Sequence, residues 1–200
     1  MKVIGLTGGY CVGKNQYAAE FAARGFPIID VDVLGHEILD ECKEDVVARF
    51  GPAIRDERGS IDRKRLGAIV FGSDSLSDLE SILHPHMVRR CVELIEDYRE
   101  SSSKAVIVNA ALLHRMHLDV LCDEVCFITA NLLVRYLRCK KRDGLTIRAF
   151  IRRINAQKDI KSTLVESASH VYVMDNSCHR GIIHRQVDEL CVTIGLDYDR

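Results

Sequence analysis

The sequence predicts an α/β protein built on a doubly wound, five-stranded parallel sheet. Three observations carry that prediction. A glycine-rich loop follows the first apolar run directly; five short β-branched runs are each followed by helical or turn patterning; and no strand pattern interrupts the long segment between the second and third runs. Strands alternating with helices close both faces of a parallel sheet, and ligands of such sheets gather at the carboxyl ends of the strands.

The first strand is expected at Val3 to Leu6 and is followed by Gly8-Gly9-Tyr10-Cys11-Val12-Gly13-Lys14-Asn15 and a helical stretch from Gln16 to Ala23. The second strand, Pro27 to Ile29, runs into Asp30-Val31-Asp32. Helical patterning then covers Val33 to Leu39, Arg63 to Val70 and Met87 to Tyr98, broken by a turn at Asp56 to Ser60. Ser101 to Ser103 mark the return to the sheet, with strands at Ala105 to Val108 and Val125 to Ile128. Two helices, Asn131 to Lys141 and Ile147 to Gln157, are joined by a loop in which Gly144 ends the first and Thr146 caps the second. A last strand at Val171 to Met174 leads into Asp175-Asn176-Ser177. The expected organisation is one domain, with a core of residues 1–32, 101–133 and 158–200, a helical substrate-facing insertion of residues 33–100, and a basic hairpin of residues 134–157.

The composition, 47% hydrophobic and 28% charged, is that of a soluble globular chain, and the formal net charge of −1 gives no reason to expect a nucleic-acid partner. No apolar run approaches the roughly 18 residues of a membrane span, and the short N-terminal apolar run reads as a core strand, not a signal segment. The eight cysteines form no C-x-x-C pair, which argues against a zinc site and for reduced thiols in a cytoplasmic protein.

The loop chemistry is that of phosphate binding. Gly8 and Gly13 let backbone N–H groups converge on phosphate oxygens, Lys14 reaches the terminal phosphates, and the helix N-terminus adds its positive dipole. The nucleotide-contacting stretch is Gly8, Gly9, Cys11, Val12, Gly13, Lys14, Asn15 and Gln16. Asn15 stands where a hydroxyl normally ligates Mg2+; its amide oxygen is a weaker ligand for the same cation. Asp30-Val31-Asp32 is expected to end the second strand, where alternation sends Asp30 and Asp32 to one side and a carboxylate could take the proton of an attacking hydroxyl; capping or turn aspartates are the competing explanation. His84-Pro85-His86 lacks partners at metal-binding spacing, so Pro85 is expected in the first turn of a helix, with His84 facing a ligand. Arg135, Arg138, Lys140, Lys141, Arg142, Arg148, Arg152 and Arg153 make the hairpin basic; grouped beside a phosphate loop they could close over a polyphosphate, although a solvated helix face is also rich in arginine. Asn176 could meet a nucleobase or form an Asx turn.

In order and spacing, these residues resemble the dephospho-CoA kinase family. The match includes Gly5-Leu6-Thr7-Gly8-Gly9 with Gly13-Lys14, Asp30-Val31-Asp32, Gly59-Ser60-Ile61-Asp62-Arg63 with Val70-Phe71, Leu79-Glu80 with His84-Pro85, Arg138 with Arg142-Asp143-Gly144-Leu145, Arg153 with Gln157, and Asp175-Asn176-Ser177. The resemblance implies transfer of the ATP γ-phosphate to the 3′-hydroxyl of dephospho-CoA with ATP and Mg2+ as cofactors, on a core sheet with a helical acceptor-binding lobe and a helical lid. It implies that Lys14 cradles phosphates, that Asp32 is the base with Asp30 supporting it, and that His84 lies in the acceptor lobe. Arg138 and Arg142 would be lid arginines and Asn176 would lie near adenine. Cys11, Val12, Asn15, Asn109, Arg115, Arg135 and Val171 depart from the family pattern. A binding-only regulator or scaffold, or a kinase for another small hydroxyl acceptor, therefore stays open at this stage.

Overall fold

The computed structural model describes residues 1–70, 75–157, 170–178 and 181–198; Phe71 and the expected core segment 158–169 lie outside the described residues. The chain divides into two compact units, one of Met1–Asp30 with Leu94–Arg200 and the other of Val31–Glu93.

The first unit holds the sheet. Strands β1 (Lys2–Gly8), β2 (Ile28–Asp30), β3 (Ala105–Asn109), β4 (Glu124–Thr129) and β5 (Val171–Asp175) are arranged β2-β3-β1-β4-β5, and every neighbouring pair is parallel. The chain leaves β1 toward β2 and leaves β4, its neighbour in the sheet, toward β5, so the connections from these two adjacent strands run in opposite directions. The loops at the carboxyl ends of β1 and β4 diverge as a result, and that divergence opens a crevice. Continuous apolar runs suit strands buried on both faces: β3 is buried throughout, as is β1 from Val3 to Gly8.

Helix α1 (Lys14–Ala23) packs Tyr17, Ala18 and Phe21 into the core formed by Ile4, Leu6, Ile107 and Ile128. The second unit comprises α2 (Val31–Glu41), α3 (Lys43–Phe50), α4 (Arg63–Val70) and the greater part of α5 (Ser75–Glu100). Its buried side chains include Leu34, Ile38, Val46, Ile54 and Leu66. Asp62 caps α4, its Oδ1 accepting from the backbone N–H groups of Lys64 (2.9 Å) and Arg65 (3.0 Å). Helices α6 (Leu132–Asp143) and α7 (Ile147–Asn155) form the basic hairpin. Asn131 and Thr146 are their N-caps, and Gly144 is the left-handed C-cap of α6. Helix α8 (Gly181–Thr193) completes the described chain. No helix among the described residues is long and apolar enough to cross a membrane.

Two expectations need correction. The second strand ends at Asp30 and α2 begins at Val31, so Asp32 lies on the first turn of a helix and strand alternation does not relate it to Asp30. Burial of Val31 as the first residue of α2 favours the early turn. Pro85 lies inside α5, not at its start. It cannot donate to the carbonyl of Ser81, yet the buried face of Met87, Cys91 and Ile95 carries the helix onward.

A buried arginine ties α1 to α8. Arg24 Nε and Nη2 donate to Asp188 Oδ1 at 2.9 and 2.7 Å, and Nη1 donates to Glu20 Oε2 at 2.9 Å. The Arg24 hydrogen bond holds the Glu20 carboxyl below its usual range, while the Tyr198 hydroxyl, and then Arg24, do the same for Asp188. Arg24→Ala is expected to lower stability to urea by about 2 kcal/mol, less than the roughly 3–5 kcal/mol typical of a fully buried pair, because both carboxylates can rehydrate. Both folded-state pKa values lie below the unfolded ones. The stabilisation is therefore complete above about pH 4 and is lost as pH falls through the lowered values. Urea melts across that window should show a shallower acid slope in the variant.

Candidate active site

The loop between β1 and α1 is shaped by close approach. A side chain at Gly8 would put Cβ 2.5 Å from the Ile128 carbonyl oxygen, and one at Gly13, where φ is +93°, would run into the Asn176 amide. Gly13 is the N-cap of α1 and supplies no side-chain acceptor, so the helix offers its first N–H groups to an anion. Lys14 is the first helical residue and is largely buried.

The Val12 carbonyl is held from behind. Arg138 Nη1 donates to it at 2.9 Å and Asn176 Nδ2 at 2.8 Å. Arg138 Nη2 also reaches the Asn176 carbonyl at 2.9 Å, and Asn176 Nδ2 reaches Gln16 Oε1 at 3.0 Å. Carbonyl and N–H point in opposite directions across a trans peptide, so anchoring the Val12 oxygen turns the Gly13 N–H the other way. Asn176 is 1% exposed and its amide is engaged by the loop and Arg138. In this arrangement Asn176 and Arg138 brace the loop.

The basic hairpin packs on the same loop. Arg135 Nε donates to the Tyr10 carbonyl at 2.9 Å, and the Tyr10 N–H donates to Gln157 Oε1 at 2.7 Å. Arg142 and Arg153 lie over the Tyr10 ring at 5.3 and 5.0 Å. Burial pulls Arg135 below the usual guanidinium value. A cavity of about 360 Å³ opens beside the loop, with Gly9, Val12, Asn131, Arg135 and Gln157 in its wall. The sequence placed Arg138 and Arg142 at the site, counted Arg135 and Arg153 among the hairpin's cations and Gln157 in the resemblance, and gave Tyr10 no role of its own. The spacing of Arg135, Arg138 and Arg142, which puts them on one face of α6, was the available signal.

At the adjoining ends of β2 and β3, Asn109 Nδ2 donates to Asp30 Oδ2 at 3.0 Å and lies 3.4 Å from Asn15 Oδ1. Asn109 is fully buried, and its Oδ1 has no hydrogen-bond partner among the described residues. Two oxygens that share one amide donor converge in space, and a cation can take that donor's place. Hard oxygens with one carboxylate among them are the ligand type Mg2+ accepts alongside phosphates. The residues present therefore fit the ion. In the helical unit, Asp32 and His84 line one cavity of about 300 Å³ with Gly35, His36, Glu80 and Met87.

A phosphate-receptive loop opening a helix, at the carboxyl edge of a parallel sheet and under an arginine-bearing hairpin, defines the P-loop kinase class. A family model described as dephospho-CoA kinase matches residues 2–180, and the chain belongs to that family. It is 31% identical over 200 residues to the dephospho-CoA kinase of Fusobacterium nucleatum, covering 96% of this chain and 98% of that protein. With the dephospho-CoA kinase of Dehalococcoides mccartyi the identity is 33% over 181 residues, covering 89% and 90%. The fold is shared with the solved dephospho-CoA kinase from Campylobacter jejuni, with a TM-score of 0.71, 24% identity and 96% of each chain covered.

Asn176→Ala removes the donor from Val12 and should weaken ATP binding about tenfold, the scale of one buried hydrogen bond with its orphaned partner. Titration calorimetry on the folded variant checks it. An unchanged affinity would mean that Arg138 alone fixes the loop.

Proposed function

We propose that this chain transfers the γ-phosphoryl group of ATP to the ribose 3′-hydroxyl of dephospho-CoA, yielding coenzyme A. The observation that carries the reading is the braced loop. Its N–H groups and Lys14 form a phosphate cradle in a chain whose family is dephospho-CoA kinase. Phosphoryl transfer asks the protein for positioning and charge stabilisation more than for covalent chemistry.

The loop N–H groups and Lys14 bind the phosphates and offset charge that grows on their oxygens during transfer. Arg142 and Arg153, held over Tyr10, are the further cations on this face of the loop. Asp32 is the carboxylate we assign to orient the acceptor hydroxyl and accept its proton; the cavity it shares with His84 is the assigned acceptor pocket. Asn15, Asp30 and Asn109 are the residues that would hold Mg2+, which when bound would neutralise charge on the β- and γ-phosphates. Arg115, another departure from the pattern that the resemblance implies, donates from Nη2 to the Ala156 carbonyl at 3.1 Å, a use within the fold.

Purified protein given ATP, Mg2+ and dephospho-CoA should form coenzyme A, followed by coupled assay and chromatography. Lys14→Ala and Asp32→Asn should each slow turnover by about a hundredfold or more. Folded protein that binds ATP but forms no product would overturn the kinase assignment. Asn15→Ser restores a hydroxyl at the head of α1 and should lower the Mg2+ concentration needed for half-maximal rate. An unshifted Mg2+ titration would remove Asn15 from the metal's ligands.

A further inference from the structure

One side-chain cluster on the phosphate loop is not used by phosphoryl transfer. Cys11 sits in the loop and Cys139 and Asp143 lie on the last turns of α6; the two Sγ atoms and a carboxylate oxygen all fall within 4.8 Å of one another. We propose that Cys11, Cys139 and Asp143 form a binding site for a borderline-soft divalent cation, zinc being the type, which ties the phosphate loop to α6.

The donor set argues for that class of ion. Two thiolates with a carboxylate suit Zn2+ and discriminate against Mg2+, which prefers oxygen alone. Tetrahedral zinc with Zn–S bonds of about 2.3 Å holds its ligand atoms roughly 3.8 Å apart, so the cluster needs to contract by no more than about 1 Å. Cys11 has φ +60°, in the left-handed region that a side-chain-bearing residue adopts only at a cost. Cys139 is fully buried.

The surrounding charges are compatible. Arg142 Nε and Nη2 each donate to Asp143 at 2.9 Å, and the Tyr10 hydroxyl also donates to it. These take three of the carboxylate's roughly four acceptor sites and leave one for a metal. The Arg142 hydrogen bond holds the Asp143 carboxyl down at about 2, so it is ionised at neutral pH, whereas burial pushes the Cys11 thiol up. Binding releases two thiol protons to solvent as the cation enters. The cluster carries a charge of −1 before and after, a value that the Arg142 and Arg153 guanidinium groups beside it already accommodate. Three protein ligands leave the fourth tetrahedral position for an external oxygen.

The test uses the full chain, reduced and stripped of metal, titrated with Co2+ as a spectroscopic substitute and then with Zn2+. The expected result is thiolate-to-cobalt charge-transfer absorption that saturates at one equivalent and is displaced by Zn2+. Cys11→Ser and Cys139→Ser should each lose most of that band. Asp143→Asn should weaken binding by at least about tenfold while keeping the band. Cys178→Ser, which alters an exposed cysteine outside the cluster, should behave as the unmodified chain. Circular dichroism shows which variants are folded; if Cys139→Ser is not, the half-buried loop position Cys11 carries the test. Absence of the band in the unmodified chain, its persistence in folded Cys11→Ser, or its loss in Cys178→Ser would each overturn the site.

Discussion

The anchored carbonyl of Val12 is the constraint on which the rest of the site depends. A phosphate loop has to expose N–H groups on one side and dispose of carbonyl oxygens on the other, and buried carbonyls need donors. Here those donors come from two distant parts of the chain, Arg138 on α6 and Asn176 just beyond β5. The sheet order brings them together: β4, which precedes α6, lies between β1 and β5. Topology, hairpin and loop therefore meet at one oxygen atom, and the glycine at position 13 leaves room for the amide that secures it.

The metal side of the site is organised differently. Asn15 and Asn109, both departures from the pattern that the resemblance implies, meet in space at 3.4 Å. A carboxylate at position 109 would repel Asp30, its neighbour across the β2 and β3 register, unless a cation lay nearby. The amide of Asn109 instead donates to Asp30, so that edge of the sheet is held together by its own hydrogen bond. The Asp30 carboxylate thereby joins the ends of β2 and β3 through a side-chain contact.

Much of this was legible in the sequence, and the failures have physical causes. All five strands and their parallel order follow from β-branched runs separated by helical patterns, and the caps Asn131, Gly144 and Thr146 mark the hairpin. Asp32 was misplaced because β2 is only three residues long, too short for alternation to register. Pro85 was misplaced because a buried apolar face outweighed its preference for a first turn. The bracing of the loop by Asn176, the contacts of Tyr10 with Gln157 and Arg153, and the meeting of Cys11 with Cys139 arise from tertiary folding. No local spacing encodes them, since each joins residues far apart in the chain.

The packing of the basic hairpin on Tyr10 also sets the mechanics of the loop. Gln157 holds the Tyr10 N–H, Arg135 its carbonyl, and Arg153 its hydroxyl, while Arg142 covers the ring. A single loop residue is thus gripped on every polar atom by the two helices and the turn that follows them. A displacement of the hairpin large enough to break those contacts also frees the loop. By reciprocity, a ligand that binds the held loop more tightly than the released one strengthens the hold on the hairpin by that difference in binding free energy.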